Sequence, residues 1–229
     1  MKWLSSLKKK ELNSLKETMS NDKNTAPSIG YDRLRISTDG EGVTTLFCFW
    51  GCPLKCKYCL NPHSWKIREN VKEFTPRQLV ELASIDNLYF LATGGGITFG
   101  GGEPLLYPMF IKEFNDLAGQ EWNINVETSL NVPMESLRVV AGFVHHYIVD
   151  IKDMNNDIYK RYTGKSNEQV LENLKWLVKE VGAGKITVRV PYIPDFNAPE
   201  DVKHSVELLK KEYGITNIDQ FKYHIVKKI

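Results

Sequence analysis

Six short apolar runs, most of them rich in β-branched residues, recur along the chain at residues 43–50, 96–99, 122–127, 147–151, 185–192 and 218–225. Between them the apolar positions fall at helical spacing, which predicts helices over 108–118, 133–143, around Ile158, over 167–181 and over 199–213. A further helix opens at Thr75-Pro76-Arg77-Gln78, with threonine as N-cap, proline in the first turn and glutamine reaching back to the cap. Its apolar positions run on through Leu91. Strands that alternate with helices predict parallel β/α units, and a doubly wound sheet and a partial barrel both satisfy the pattern. Ahead of this body, Trp3, Leu4, Leu7, Leu12, Leu15 and Met19 stand at roughly helical spacing, and residues 20–30 are polar and turn-rich. The expected organisation is an N-terminal helical and linker extension over 1–29, then a single α/β domain over 30–229.

Composition adds exclusions. The 229 residues are 42% hydrophobic and 25% charged, ordinary values for a globular chain able to bury a sizeable core. A net charge of +2 gives no reason to expect nucleic acid or an anionic membrane as partner. No run approaches the ~18 apolar residues of a transmembrane helix, and residues 1–19 lack the apolar stretch of a signal peptide. The expectation is a cytoplasmic protein with no membrane association, in a compartment where clustered cysteines bind metal or catalyse rather than pair.

All four cysteines lie between positions 48 and 59. Cys52, Cys56 and Cys59 share the loop after the first strand, at spacings of four and three. Soft thiolates select zinc, copper(I) or iron–sulfur clusters. A closed zinc site needs four ligands, for which His63 is the available fourth, and a [4Fe–4S] cluster held by protein alone also takes four. Three thiolates on a cubane would leave one iron open. Cys48 sits inside the first strand and reads as a small buried hydrophobe, with a fourth cluster ligand as the alternative. Parallel α/β folds place chemistry at the carboxyl ends of their strands. There the sequence sets the cysteine loop, then Gly101-Gly102-Glu103-Pro104, Glu127-Thr128-Ser129, Asp150 with Lys152, Arg189 and His224.

Taken together, Cys52-x3-Cys56-x2-Cys59 and Gly101-Gly102-Glu103-Pro104 resemble the radical S-adenosylmethionine (SAM) superfamily, whose members share a partial (β/α)6 TIM-like barrel. Residues 37–42, 50–56, 58–62 and 94–98, Asp150-x-Lys152 and Lys222-Tyr223-His224 bring the likeness closer to one branch. That branch is the glycyl-radical-enzyme activating enzymes, typified by the pyruvate formate-lyase activase. The resemblance implies that Cys52, Cys56 and Cys59 are the catalytic ligands of a single [4Fe–4S] cluster whose fourth iron is chelated by SAM. It implies cofactor-binding roles for Tyr58 beside the adenine and for Gly101, Gly102 and Glu103 toward the SAM amine. Glu127 and Ser129 would face the ribose and carboxylate, with Asp150, Lys152, Arg189 and His224 also assigned to the cofactor site. The implied activity is that of a radical SAM oxidoreductase that installs a glycyl radical on a partner enzyme. A flavodoxin or ferredoxin-type protein would donate the electron, and the activase would be a monomer. The alternative is a radical SAM enzyme acting on a small molecule or modifying a peptide. Two departures stand out: Thr44 occupies the place of an arginine usual in the branch, and residues 61–74 carry none of the extra cysteines of many activases. Gly94-Gly95-Gly96 reads either as a flexible turn or as a groove receiving a glycine-bearing peptide.

Overall fold

The structure, a computed structural model, describes residues 24–66 and 71–223. The expected N-terminal helix and His224 lie outside those residues. In chain order the elements are β1 (Ala26–Ile36), β2 (Val43–Phe49), α1 (His63–Lys66), β3 (Lys72–Phe74), α2 (Pro76–Ala83), α3 (Asn87–Thr93), β4 (Gly96–Gly101) and α4 (Pro108–Ala118). They continue with β5 (Asn123–Thr128), α5 (Met134–Val140), β6 (His146–Asp150), α6 (Asn156–Thr163), α7 (Glu168–Val181), β7 (Ile186–Tyr192), α8 (Pro199–Tyr213) and β8 (Ile218–Lys222).

All eight strands form one open sheet in the order β3-β1-β2-β4-β5-β6-β7-β8. The six runs expected from the sequence are β2, β4, β5, β6, β7 and β8, and every neighbouring pair among them is parallel. Their order decides between the two architectures. A doubly wound sheet reverses direction at a switch point; here each strand lies beside its predecessor, so right-handed crossovers keep the helices on one face. The result is a partial (β/α)6 barrel.

Three local expectations are corrected. Residues 26–30, read as linker, are the first half of β1, which pairs antiparallel with β2 and with β3. Pro27, Gly30 and two register shifts break its alternation, so no period-two pattern marks it. The single helix expected from 76 to 91 is divided by a 3-10 turn at Ser84–Asp86. That turn seats the buried Asp86 carboxylate against Arg33, at 2.8 and 2.7 Å, and near the Thr45 hydroxyl. The threonine capping box at its start is present.

The third correction concerns Gly94-Gly95-Gly96. Gly94 closes α3 in a left-handed conformation, φ 66°. A Cβ on Gly95 would stand 1.8 Å from the Val43 carbonyl oxygen, and one on Gly96 would stand 2.2 Å from that of Asn123. These glycines let the starts of β2, β4 and β5 pack backbone to backbone, at the opposite end of the barrel from the cysteine loop.

Side chains on β2 divide between two faces. Phe47 and Phe49 are fully buried in an aromatic layer with Phe99 and Phe110, while Leu46 looks into the barrel. Below, residues 37–42 turn into the barrel interior. The Thr98 hydroxyl donates to the Asp39 carbonyl, and Gly40 lies against the Asn125 amide.

Candidate active site

A cavity of about 420 Å³ opens at the carboxyl ends of the parallel strands. Cys52, Cys56 and Cys59 line it together with Gly101, Gly102, Ser129, Glu127, Asp150, Lys152 and Arg189. Ten residues expected from the sequence are thereby brought together.

The cysteine loop is held from several sides. The Gly102 and Glu103 amides donate to Phe49 O at 3.0 Å and Gly51 O at 2.8 Å, lacing the end of β4 to the start of the loop. A Cβ on Gly102 would meet Gly51 O at 2.0 Å, and one on Gly101 would meet the Cys48 side chain at 2.6 Å. Gly101 thus lets β4 pack closely on β2, and Gly102 lets the end of β4 pack on the start of the loop. On the other side, Lys55 N–H donates to Thr163 O and Lys57 N–H to Tyr162 O, and Asn61 Nδ2 reaches Gly101 O.

Two expected residues do not line the cavity. Glu103 is fully buried, and its four lone-pair positions are taken by the Thr128 hydroxyl, the Leu105 amide, and the Ser129 amide and hydroxyl. Burial pushes its carboxyl upward. It acts here as a clamp between the ends of β4 and β5. Tyr58 sits in an aromatic cluster with Tyr162, Phe196 and Tyr223, and its hydroxyl donates to Asp195 at 2.8 Å.

The polar wall is a buried charge network. Arg189 donates through Nε to Asp150 at 2.8 Å and through a terminal nitrogen to Glu127 at 2.9 Å; Lys152 lies 3.1 Å from Asp150. Burial pushes Glu127 up to about 7, with Arg189 opposing and Asp150 adding to the rise. Burial would also raise Asp150, but Lys152 and Arg189 outweigh it and hold that carboxyl below its ordinary value. Between two acids sharing one guanidinium, the one with the second cation stays ionised, and the other takes up a proton as pH falls through about 7.

Arg35 and Asp39, paired with each other, reach the cavity from β1 and its following turn. Asp39 lies in the 37–42 stretch that carried part of the resemblance, though with no site role assigned to it; nothing in the local pattern marked Arg35. Position 44, where the branch usually has arginine, holds a buried threonine, and Arg35 brings a guanidinium to the cavity from another strand. Tyr223 also lines the wall; its place beside His224 in Lys222-Tyr223-His224 was the only clue to it.

Four free thiols are present, and three share the cavity. Cys48 is half-buried and outside the cavity lining, and burial raises its thiol to about 11. His63 does not reach the cavity either. Among the described residues no three histidine, cysteine or acidic side chains converge as around one ion. A cubane asks less convergence of its ligands, because each thiolate takes a separate iron. Three thiols that line one roomy cavity with several polar groups therefore fit a cluster with one iron left for another ligand.

A sequence model of the radical SAM superfamily matches residues 48–209. The chain belongs to the radical SAM superfamily. This family uses a [4Fe–4S] cluster and SAM, and the donor set above suits both. Among radical SAM relatives, the pyruvate formate-lyase-activating enzyme of Clostridium pasteurianum is 29% identical over 190 residues, covering 81% of this chain and 77% of that protein. The isethionate sulfite-lyase activating enzyme of Desulfovibrio desulfuricans is 25% identical over 247 residues, covering 81% and 79%. Streptococcus suis SuiB bound to precursor peptide SuiA shares the fold, with a TM-score of 0.60 at 15% identity over 80% of this chain. The chain spans 41% of SuiB. Among the described residues no helix is long and apolar enough to cross a membrane.

Proposed function

We propose that this radical SAM enzyme is a glycyl-radical-enzyme activase, which cleaves SAM reductively and installs a glycyl radical on a partner enzyme. The observation that carries this reading is the alignment of four-fifths of the chain with relatives named as activating enzymes of two different lyases. When bound, the cluster and SAM supply a carbon-centred radical able to take a hydrogen atom from a glycine α-carbon. Cys52, Cys56 and Cys59 hold the cluster. Lys152, Arg189 and Asp150, which line the same cavity as the three cysteines, would supply fixed charges for binding the polar groups of SAM. Glu103 positions the Thr128–Ser129 backbone, and the packed barrel keeps water from the reacting centre.

The test is anaerobic reconstitution followed by electron paramagnetic resonance with candidate glycyl-radical enzymes. About four irons and four sulfides per chain, SAM cleavage, and a glycyl signal on one partner are expected. SAM cleavage without that signal on any candidate, together with an altered small molecule or peptide, would replace this reading. Cys56→Ala is expected to lose the open-site cluster and abolish SAM cleavage, measured by iron content and 5′-deoxyadenosine release.

The electron donor, of flavodoxin or ferredoxin type in this proposal, would meet the cysteine loop where Lys55 and Lys57 are exposed on either side of Cys56. Reversing both charges in Lys55→Glu/Lys57→Glu is expected to slow reduction by an acidic donor protein about tenfold at low salt. The difference should fade as ionic strength rises, while reduction by a small-molecule reductant stays near wild type. Equal rates with the protein donor at low salt would place its docking elsewhere.

A further inference from the structure

β5 ends at Thr128, and the chain then crosses to α5 through residues 129–133. Ser129, the first residue of that turn, lines the cavity. Glu103 holds it from the β4 side, accepting from its amide at 2.9 Å and from its hydroxyl at 2.6 Å. The hydroxyl oxygen accepts in turn from the Asn131 amide at 3.3 Å. One lone pair is left over for a donor on a ligand.

Leu130, just behind it, has φ 57°. Leu34, Ser37 and Asp195 share that left-handed region at exposed positions, whereas Leu130 is fully buried. A bulky residue persists there only where its surroundings over-determine it. In front, the Leu130 amide donates at 2.9 Å to the Thr128 hydroxyl, which Glu103 also holds. From behind comes Asn173. It is 2% exposed and stands with Val170, Leu174 and Leu177 on the buried face of α7. Its side-chain amide donates to Leu130 O and to Val132 O, each at 2.8 Å, so both of its protons are used. An amide on a core-facing stripe is costly unless it is paired. Here the turn supplies the pairing, and Glu103 and Asn173 grip that turn from opposite sides of Ser129.

We propose that Asn173 is a positioning residue for SAM. By holding Leu130 in its left-handed conformation, it keeps Ser129 in the cavity wall as an acceptor for a polar hydrogen of SAM. Released from Asn173, Leu130 would relax toward the negative φ that leucine favours, and that rotation would swing Ser129 out of place. The proposal rests on SAM as the ligand of the cavity and not on which molecule the radical attacks. It can therefore fail while the activase reading stands.

The experiment measures the equilibrium dissociation constant of SAM for cluster-loaded enzyme, together with KM and kcat for SAM cleavage, in wild type, Asn173→Ala and Leu174→Val. In Asn173→Ala the dissociation constant and KM are expected to rise together by roughly tenfold, the loss of about one hydrogen bond. The kcat should stay within about twofold of wild type, because the contact is made equally before and during bond cleavage. Leu174→Val trims the same buried helix face but removes no hydrogen bond. It should lower the melting temperature and leave the dissociation constant alone. An unchanged dissociation constant in Asn173→Ala, or an equal rise in Leu174→Val, overturns the proposal. Should Asn173→Ala yield no soluble enzyme, a crystal structure of the wild type with cluster and SAM decides the matter. Ser129 Oγ within about 3.3 Å of an amine or hydroxyl of SAM, with Leu130 left-handed, supports it. SAM bound out of reach of Ser129 overturns it.

Discussion

Gly95→Ala is expected to leave almost no folded enzyme. Its added methyl group would lie 1.8 Å from the Val43 carbonyl oxygen and under 3 Å from two further Val43 backbone atoms. Those atoms belong to β2, which also pairs with β4 a residue further on, from Thr44↔Gly96. Relief would therefore require the two central strands to separate. Overpacking that flexible side chains can absorb costs about 1–3 kcal/mol; a clash with backbone has no such outlet, and a loss of roughly 4–5 kcal/mol or more is expected. Against a total stability of about 5–15 kcal/mol, that removes most or all of the margin. Gly94→Ala is the informative neighbour. Its methyl group would enter open space, and only the left-handed backbone, φ 66°, opposes it, at about 1–2 kcal/mol. Soluble yield and urea midpoints of the two variants measure the contrast. Similar midpoints would mean that strand packing is not what these glycines serve.

The same triplet shows where sequence reasoning stops. Three consecutive glycines announce that something unusual happens to the backbone, but the neighbour that demands Gly95 is some fifty positions away. Five of the parallel strands, β2 and β4 to β7, were legible because they are largely covered on both faces and so read as nearly continuous apolar runs. β8 is exposed from Asp219 to Lys222 and was placed by the alternation alone. β1 was not legible, since it is interrupted by Pro27, Gly30 and two register shifts. Long-range pairing also explains the broken helix, where Asp86 answers to Arg33 and Thr45 rather than to its own apolar stripe. In the site, the rule that chemistry gathers at strand ends located Glu127, Ser129, Asp150, Lys152 and Arg189 without reference to contacts. It could not tell that Glu103 spends every acceptor position on its neighbours, nor that Arg35 arrives from a strand the pattern concealed, with Asp39 from the turn after it. Local sequence reported which groups stand at the rim, and tertiary contacts decided which of them face the cavity.

Arg189→Leu is expected to be both the most destabilising change in the cavity wall and one whose cost depends on pH. The guanidinium forks between Asp150 and Glu127, all three largely buried. Removing one member of a buried ion pair costs about 3–5 kcal/mol, because the partner charge is left without compensation. Asp150 keeps Lys152; Glu127 keeps nothing of opposite sign that the wild-type network supplies. Its escape is to bind a proton, which burial already favours by lifting the carboxyl from 4.5 to about 7. A carboxyl raised in this way holds its proton more tightly in the folded state. The stability it contributes is full below pH 4.5 and is lost as pH rises through about 7, an effect of about 3 kcal/mol. The cost of Arg189→Leu should therefore approach its full value at pH 8 and shrink near pH 5, where Glu127 is neutral with or without the arginine. Glu127→Gln, which cannot titrate, should gain on wild type across the same window. Arg189→Lys should recover only part of the loss, since one ammonium cannot reproduce the fork to two carboxylates. Urea unfolding of the three variants at pH 5 and pH 8 gives the comparison. A pH-independent cost for Arg189→Leu would mean that Glu127 remains ionised across this range and that the proton in this wall resides elsewhere.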